Sequence, residues 1–461
     1  MSEGYTEGVN TLLGNPRRAI VKLSLPMIVG MIAQTAYSIA DAVWVSGLGP
    51  EPLAAVGFFF PVYFLLMSLA GGIGVGASSA ISRMIGAKDK ESADKIAVQS
   101  ILLGILLALL VSIPAIPFLE RIIFFLGGRE ISSITASYGK IILLGSVFMF
   151  FNYVANSILR GEGNAGKAMW AMVIGSGINI LFDPVFIYVF RLGIRGAAWA
   201  SVVSMFIVSI LFIYWLFFEQ KTYVSINLKD LGFTVEVLRE IFSVGIPSSV
   251  MQMINSVSMF LINVVAIRAG GTDGVAVFTS GWRIVTVGTL PMMGMAMGVT
   301  AVTGAAFGAR DSKKLEQGYF FAIKMGLVIE IIMGLLIFAF ARYISVIFTY
   351  AEQTRRISED LIHFLKVMAL FLPFVPLGML TSAMLQGTRR GFWALGITLT
   401  RTIVLNVPLA YLFGIVMGIG SPGVWWGIVC GNAIAGLIGV TLGIITTAEY
   451  KKKLSRRVAF L

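Results

Sequence analysis

The chain has 461 residues, 57% of them hydrophobic and only 13% charged, with a mean hydropathy of +0.89. A soluble globular chain carries about a quarter charged residues, so these charges cannot cover a water-facing surface and lipid must cover it. The net charge of +12 then belongs to Lys and Arg facing anionic headgroups rather than to a nucleic-acid partner. A lone Cys430 and a lone His363 exclude a disulfide framework, a cysteine zinc site and a histidine-rich metal centre.

Residues 1–18 are polar and lack the apolar core of a cleavable signal, so the first hydrophobic stretch is expected to persist as a helix. A spanning helix needs roughly 20 mostly apolar residues. Twelve candidates follow, near 22–46, 53–80, 96–118, 137–158, 168–190, 196–218, 241–267, 275–304, 319–346, 359–385, 391–415 and 423–447. Turn residues or charges break them, as at Gly47-Leu48-Gly49-Pro50, Gly86-Ala87-Lys88-Asp89, Gly127-Gly128, Gly270-Gly271 and Gly387-Thr388-Arg389-Arg390. Of the Lys and Arg residues at the span ends, 22 fall on the side of both termini and 8 on the other. That bias predicts both termini in the cytoplasm, as an even number of spans requires.

The chain also repeats itself. Leu25-Pro26-Met27 precedes Gly86-Ala87-Lys88-Asp89 much as Ile246-Pro247-Ser248 precedes Gly308-Ala309-Arg310-Asp311. Leu159-Arg160-Gly161 matches Leu385-Gln386-Gly387, Pro184 pairs with Pro408, and Gly196-Ala197-Ala198-Trp199 matches Gly423-Val424-Trp425-Trp426. The expected organisation is an N-lobe at 1–218, a cytoplasmic linker at 219–240 that includes Lys229 and Asp230, and a C-lobe at 241–461. Six spans per half make the halves parallel repeats, a design suited to alternating access.

Functional candidates lie where the duplication is broken. Asp41 corresponds to Ile262, Asp183 to Val407, and Ser201 falls near Ile428, so only the first half carries these membrane carboxylates. A carboxylate in hydrocarbon costs about 2.5–3.5 kcal/mol on insertion scales and persists for a function. Gln34, Tyr37 and Asp41 share one face of span 1, Asn179 and Asp183 one face of span 5, and Asn152 and Asn156 repeat that spacing on span 4. Two carboxylates, an amide and a hydroxyl offer hard oxygen ligands for Na⁺, or the carboxylates could share a proton. Pro26 and Pro184 remove backbone donors and permit kinks beside these residues. Glu330, Arg283 and Arg401 read as structural pairing partners in the second half, and His363 as a polar contact near a helix end.

Other features have plainer readings. Gly161-Glu162-Gly163-Asn164-Ala165-Gly166-Lys167-Ala168 nearly spells a phosphate loop, but it ends in Ala and follows a membrane helix. The run Gly71-Gly72, Gly74 and Gly76 falls inside span 2, where small residues allow close packing. Met292, Met293, Met295 and Met297 form a packing surface that could also line an adaptable cavity.

Leu25-Pro26-Met27, Ala40-Asp41-Ala42-Val43-Trp44-Val45-Ser46, Leu159-Arg160-Gly161-Glu162-Gly163 and Asn179-Ile180-Leu181-Phe182-Asp183-Pro184 resemble the multidrug and toxic compound extrusion (MATE) transporters, closest to archaeal DinF-like members. The resemblance covers nearly the whole chain. It implies an all-α, V-shaped bundle of two six-helix lobes and antiport of drugs against Na⁺ or H⁺. It further implies that Asp41, Asn179, Asp183 and Ser201 form the cation site, with Ser201 where the family commonly has Thr. Gln34, Tyr37, Asn152 and Asn156 match positions lining the same lobe or its drug cavity, and bending at Pro26 coupled to Asp41 is a mechanism proposed for such proteins.

The expected function is therefore export of organic cations and amphipathic drugs by a monomer in the plasma membrane, among membrane lipids, with no cofactor beyond the coupling ion. The alternative is a flippase for lipid-linked precursors on a related two-lobe fold. An intramembrane enzyme would need a nucleophile with its base or a metal set, which one Cys and one His do not supply.

Overall fold

Spans that cross hydrocarbon must satisfy their backbone internally, and the computed structural model is correspondingly helical, with no strand among the described residues. It describes residues 6–125, 127–219, 221–227, 232–350 and 352–458. Lys229 and Asp230, read above as part of the cytoplasmic linker, lie outside the described residues, as does the side chain of Arg457. In chain order the helices are α1 (Glu7–Leu13), α2 (Pro16–Ser46), α3 (Pro50–Ala87), α4 (Lys90–Phe125), α5 (Ser132–Leu144), α6 (Ser146–Gly161), α7 (Ala165–Pro184) and α8 (Ile194–Ile213). After them come α9 (Val235–Gly308), α10 (Ser312–Thr349), α11 (Ser358–Ala369), α12 (Val375–Gly387), α13 (Gly391–Leu399), α14 (Val407–Tyr411) and α15 (Ser421–Val458). Short π-helical turns extend α7 through Val189 and α8 through Phe218, and flank α14 at Thr400–Asn406 and Leu412–Val416.

Ten helical pieces are long and apolar enough to cross a membrane, and α5 with α6, bent by 49°, adds another. One of the ten, α9, is two helical stretches joined at Gly271 (φ 61°, ψ −154°). Among the described residues this makes the expected twelve. The helices overrun the apolar stretches, as when α10 begins at Ser312 although its apolar run begins near 319.

The chain divides into two compact units, residues 25–249 with 1–14, and residues 250–461 with 15–24. The division falls inside α2, one residue before Pro26. The duplication is visible turn by turn, each turn within its own unit. Lys88 (φ 60°) and Arg310 (φ 55°) close α3 and α9 in the left-handed conformation. Asp89 N–H then reaches Met84 O at 2.9 Å, and Asp311 N–H reaches Ala306 O at 3.0 Å. Those two aspartates accept from the backbone of Ser92 and Lys314, capping the helices that follow. Gly163 (φ 85°) matches Arg389 (φ 64°), and Gly193 (φ 56°) matches Gly420 (φ 76°). Gly196 and Gly423 repeat one close approach: a Cβ on either would lie 2.5 Å from the carbonyl of Phe186 or Phe413.

These matched turns correct the pairing of Pro184 with Pro408. The turns flanking that span are 226 and 227 residues apart, so Asp183 corresponds to Leu409 or Ala410 rather than Val407. An extra π-helical turn in the second unit, Thr400–Asn406, shifts the helix surface against the sequence. Asn179 then falls opposite Asn406, or its neighbour Leu405, and Asp41 opposite Ile262 or Asn263.

Within the first unit, α3 packs on the start of α9 through glycine. A Cβ on Gly76 would lie 2.4 Å from the Ile241 carbonyl, and one on Gly72 would lie 2.7 Å from the Gly245 carbonyl. Arg83 closes the same contact with an ion pair to Glu240 at 2.7 Å. The short helix α1, unanticipated in the polar N-terminus, buries Val9 and Leu12 and places Gly8 against the Glu162-Gly163-Asn164 turn. Glu162 is buried there and accepts N–H bonds from Tyr223 at 2.8 Å and Val224 at 3.4 Å. The near phosphate-loop motif is thus a turn that anchors the start of the linker, which Asp94 also holds through Ser225 N–H at 2.7 Å.

Gly76→Val is expected to cost about 1–3 kcal/mol of overpacking, measured by unfolding in detergent. Gly57→Val, whose Cβ meets nothing within 4 Å, serves as the control. Burial pushes the Glu162 carboxyl from its ordinary 4.5 up to about 7, against the pull of the Tyr223 and Val224 N–H groups. A carboxyl raised in the folded state keeps its proton where the unfolded chain has lost it. Its contribution is therefore fully present below 4.5 and is lost as pH rises to about 7. Glu162→Gln is expected to flatten that slope in thermal unfolding across this window.

Candidate cation site in the first unit

Three helices of the first unit carry the candidate residues: α2 holds Gln34, Tyr37 and Asp41, α7 holds Asn179 and Asp183, and α8 holds Ser201. Asn179, Asp183 and Ser201 are buried at 3%, 0% and 5% exposure. The Asn179 amide donates to Ser201 Oγ at 3.3 Å, which turns its carbonyl oxygen the other way. That Oδ1 and both Asp183 oxygens are buried and accept no hydrogen bond. Asp41 is half-buried and close enough to Asp183 for the two charges to interact. Tyr37 lies close enough to Ser201 to interact with it, joining α2 to the same cluster.

Tyrosines missed in the sequence complete the surroundings. Tyr63 of α3 and Tyr138 of α5 face Asp41, Tyr138 also faces Asp183, and Tyr153 of α6 lies within reach of Gln34. The asymmetry that picked out Asp41 would have found two of them. In the register of the flanking turns, Tyr63 corresponds to Val285 and Tyr153 to Met379, so these hydroxyls too are confined to the first half.

The remaining candidates make contacts of their own. Asn152 donates to Met205 O at 2.8 Å and accepts from Ser209 at 2.8 Å, while Asn156 donates to Ala168 O at 3.0 Å. Both amides therefore tie α6 to its neighbours. Met292 is fully buried in the second unit, where its sulfur would lie 3.1 Å from a Cβ on Gly326; its contacts there are packing contacts. Pro26 lies within continuous α2, and Pro184 ends α7 just before its π-helical turn.

The expected pairing of Glu330 with Arg283 or Arg401 is not formed. Glu330 is buried with both oxygens unpartnered, and Arg401 instead reaches Asn255 at 3.4 Å. Arg283 is exposed, so among the described residues the second unit keeps a buried carboxyl with no partner. His363 makes a ring contact, edge-on to Trp425 at 5.6 Å.

A buried carboxylate with no donor is among the costliest arrangements a protein can hold. A proton or a small cation on Asp183 would remove that cost, and the free Asn179 Oδ1 and the Ser201 Oγ are neutral oxygens nearby. Among the described residues no group of three His, Cys, Asp or Glu is placed to hold a metal ion; the oxygens gathered here come from acids, an amide and a hydroxyl, all hard donors in type.

Sequence and structure comparisons bear on the family of the chain. The MatE family pattern matches residues 26–185 and 247–412. The multidrug export protein MepA of Staphylococcus aureus (strain MRSA252) is 28% identical over 428 residues, covering 92% of this chain and 93% of that protein. An outward-facing structure of a multidrug resistance MATE family transporter of the MOP superfamily is 47% identical with a TM-score of 0.95, covering 98% of this chain and 100% of that one. A MOP superfamily transporter from Pyrococcus furiosus, whose reversed binding-pocket polarity was taken to suggest a different function, is also 47% identical, with a TM-score of 0.94 over 97% and 100% of the two chains. With two matched segments filling most of both halves, the chain belongs to the MatE family of multi-pass membrane transporters.

Proposed function

We propose that this transporter exports organic cations and amphipathic drugs in exchange for Na⁺ or H⁺ by alternating access. The observation that carries the reading is Asp183, fully buried with both carboxylate oxygens unpartnered beside a second carboxylate, Asp41. Such a group is stable only when something positive neutralises it, so its loading state is a natural control on the helices around it. The coupling ion is held by Asp41, Asn179, Asp183 and Ser201, with no other cofactor. In one cycle the ion enters this set and rearranges α2 at Pro26, which releases the drug outward. When the ion leaves inward, the emptied carboxylates favour a new cationic drug, and tyrosine faces such as Tyr37, Tyr63 and Tyr138 favour flat apolar rings. The protein transports without chemical turnover, as a monomer in the plasma membrane with both termini cytoplasmic.

The test is efflux of a fluorescent cationic drug from proteoliposomes under separately imposed Na⁺ and H⁺ gradients. One gradient is expected to drive wild-type export, and Asp41→Asn and Asp183→Asn are each expected to abolish it. Export that survives both substitutions would move coupling to Glu330, a buried carboxyl with both oxygens unpartnered. No drug movement under either gradient would make flipping of lipid-linked precursors the better reading. Pro26→Ala is expected to slow export at unchanged protein level, and unaltered export would remove the bend from the mechanism.

A further inference from the structure

The second unit carries a cationic depression. Arg17, in the first turn of α2, joins Lys313 and Lys324 of α10 around a cavity of about 450 Å³. On α10 the lining recurs at Lys313, Gln317, Phe320 and Lys324, one face of the helix with two phenyl rings, Phe320 and Phe321, between the cationic ends. All three cations are exposed, and none has a carboxylate within ion-pair distance among the described residues. The one carboxylate in the lining, Glu316, lies 3.6 Å from Lys451. Three like charges around one depression repel one another until an anion enters.

The position narrows the anion. The 38 residues of α10 extend about 57 Å, well beyond a hydrocarbon core of about 30 Å. Its first turns, which hold Lys313 and Gln317, therefore stand at headgroup level, while Phe320, Phe321 and the stem of Lys324 begin the apolar run. Cations above phenyl rings match an anionic amphiphile rather than a free ion.

We propose that this depression binds the phosphate headgroup of an anionic membrane lipid. Arg17, Lys313 and Lys324 hold the phosphate, and Phe320 and Phe321 pack against the top of the acyl chains. The site reaches the transport helix directly. Residues 15–24 of α2 belong with α10 in the second unit, whereas Pro26 and Asp41 of the same helix belong to the first. A phosphate shared by Arg17 and Lys313 anchors the root of α2 to α10, so the lipid regulates the helix that carries Asp41. The proposal needs only a membrane-embedded chain and stands whichever ion or substrate is moved.

The full-length protein in a neutral detergent is titrated with phosphatidylglycerol, phosphatidylcholine or inorganic phosphate, and bound lipid is counted by native mass spectrometry. The triple variant Arg17→Gln, Lys313→Gln, Lys324→Gln is compared with a control, Lys452→Gln, Lys453→Gln, on the exposed end of α15. Wild type and control are expected to bind phosphatidylglycerol alike, and the triple variant about tenfold or more weakly. An unchanged thermal unfolding midpoint without lipid shows that the triple variant is folded. Equal phosphatidylglycerol binding by the triple variant, equal binding of phosphatidylcholine by wild type, or competition by millimolar inorganic phosphate would each overturn the proposal.

Discussion

Hydrocarbon offers no hydrogen-bond partner, and this constraint organises the molecule. Every spanning segment is helical, and each exit from a helix must satisfy the carbonyls that the helix leaves open. Here that is done with left-handed closing residues, and the same closures recur in both halves. Lys88 and Arg310 show that the geometry outranks residue preference, since a non-glycine residue takes positive φ in each unit. An aspartate follows in each case and caps the next helix. The repeated turns are therefore the firmest record of the duplication, firmer than the prolines, since Pro184 and Pro408 are two or three residues out of the register of the turns.

Against that background an unsatisfied buried acid stands out. Most polar side chains inside the first unit are spent on neighbouring backbones, as Asn152 and Asn156 are. Asp183 is not, and the Asn179 amide, by donating to Ser201, leaves its own oxygen open on the same site. The tyrosines around Asp41 add hydroxyls without adding positive charge. This set differs from the surroundings of Glu330, buried where Gly326 and Gly334 bring the Met292 sulfur and the Ala369 carbonyl close to α10. Both units hold an unpartnered acid, and in the first an amide oxygen and a hydroxyl lie beside it.

Helix closure and cavity chemistry meet in α2. It carries the acidic site beyond Pro26 and a cation, Arg17, at its root, and the two ends belong to different units. A helix divided in this way can transmit a change at either end, because backbone hydrogen bonds keep it continuous from Pro16 to Ser46 while Pro26 lacks a donor at the division.

The sequence by itself determined the membrane class, the twelve apolar segments, the two halves and the acids worth watching. Each of these depends on properties a residue keeps wherever it is placed: transfer cost, length, or departure from a repeat. It also brought Asn179, Asp183 and Ser201 to notice as one set. The tertiary structure alone decided which polar groups are free, because that depends on partners far along the chain. It moved Asn152 and Asn156 into helix-to-helix bonds, left Glu330 without the arginines expected for it, and added Tyr63, Tyr138 and Tyr153 to the site. It also decided the register of the repeat, since a single π-helical turn rotates a helix face without leaving a mark in composition.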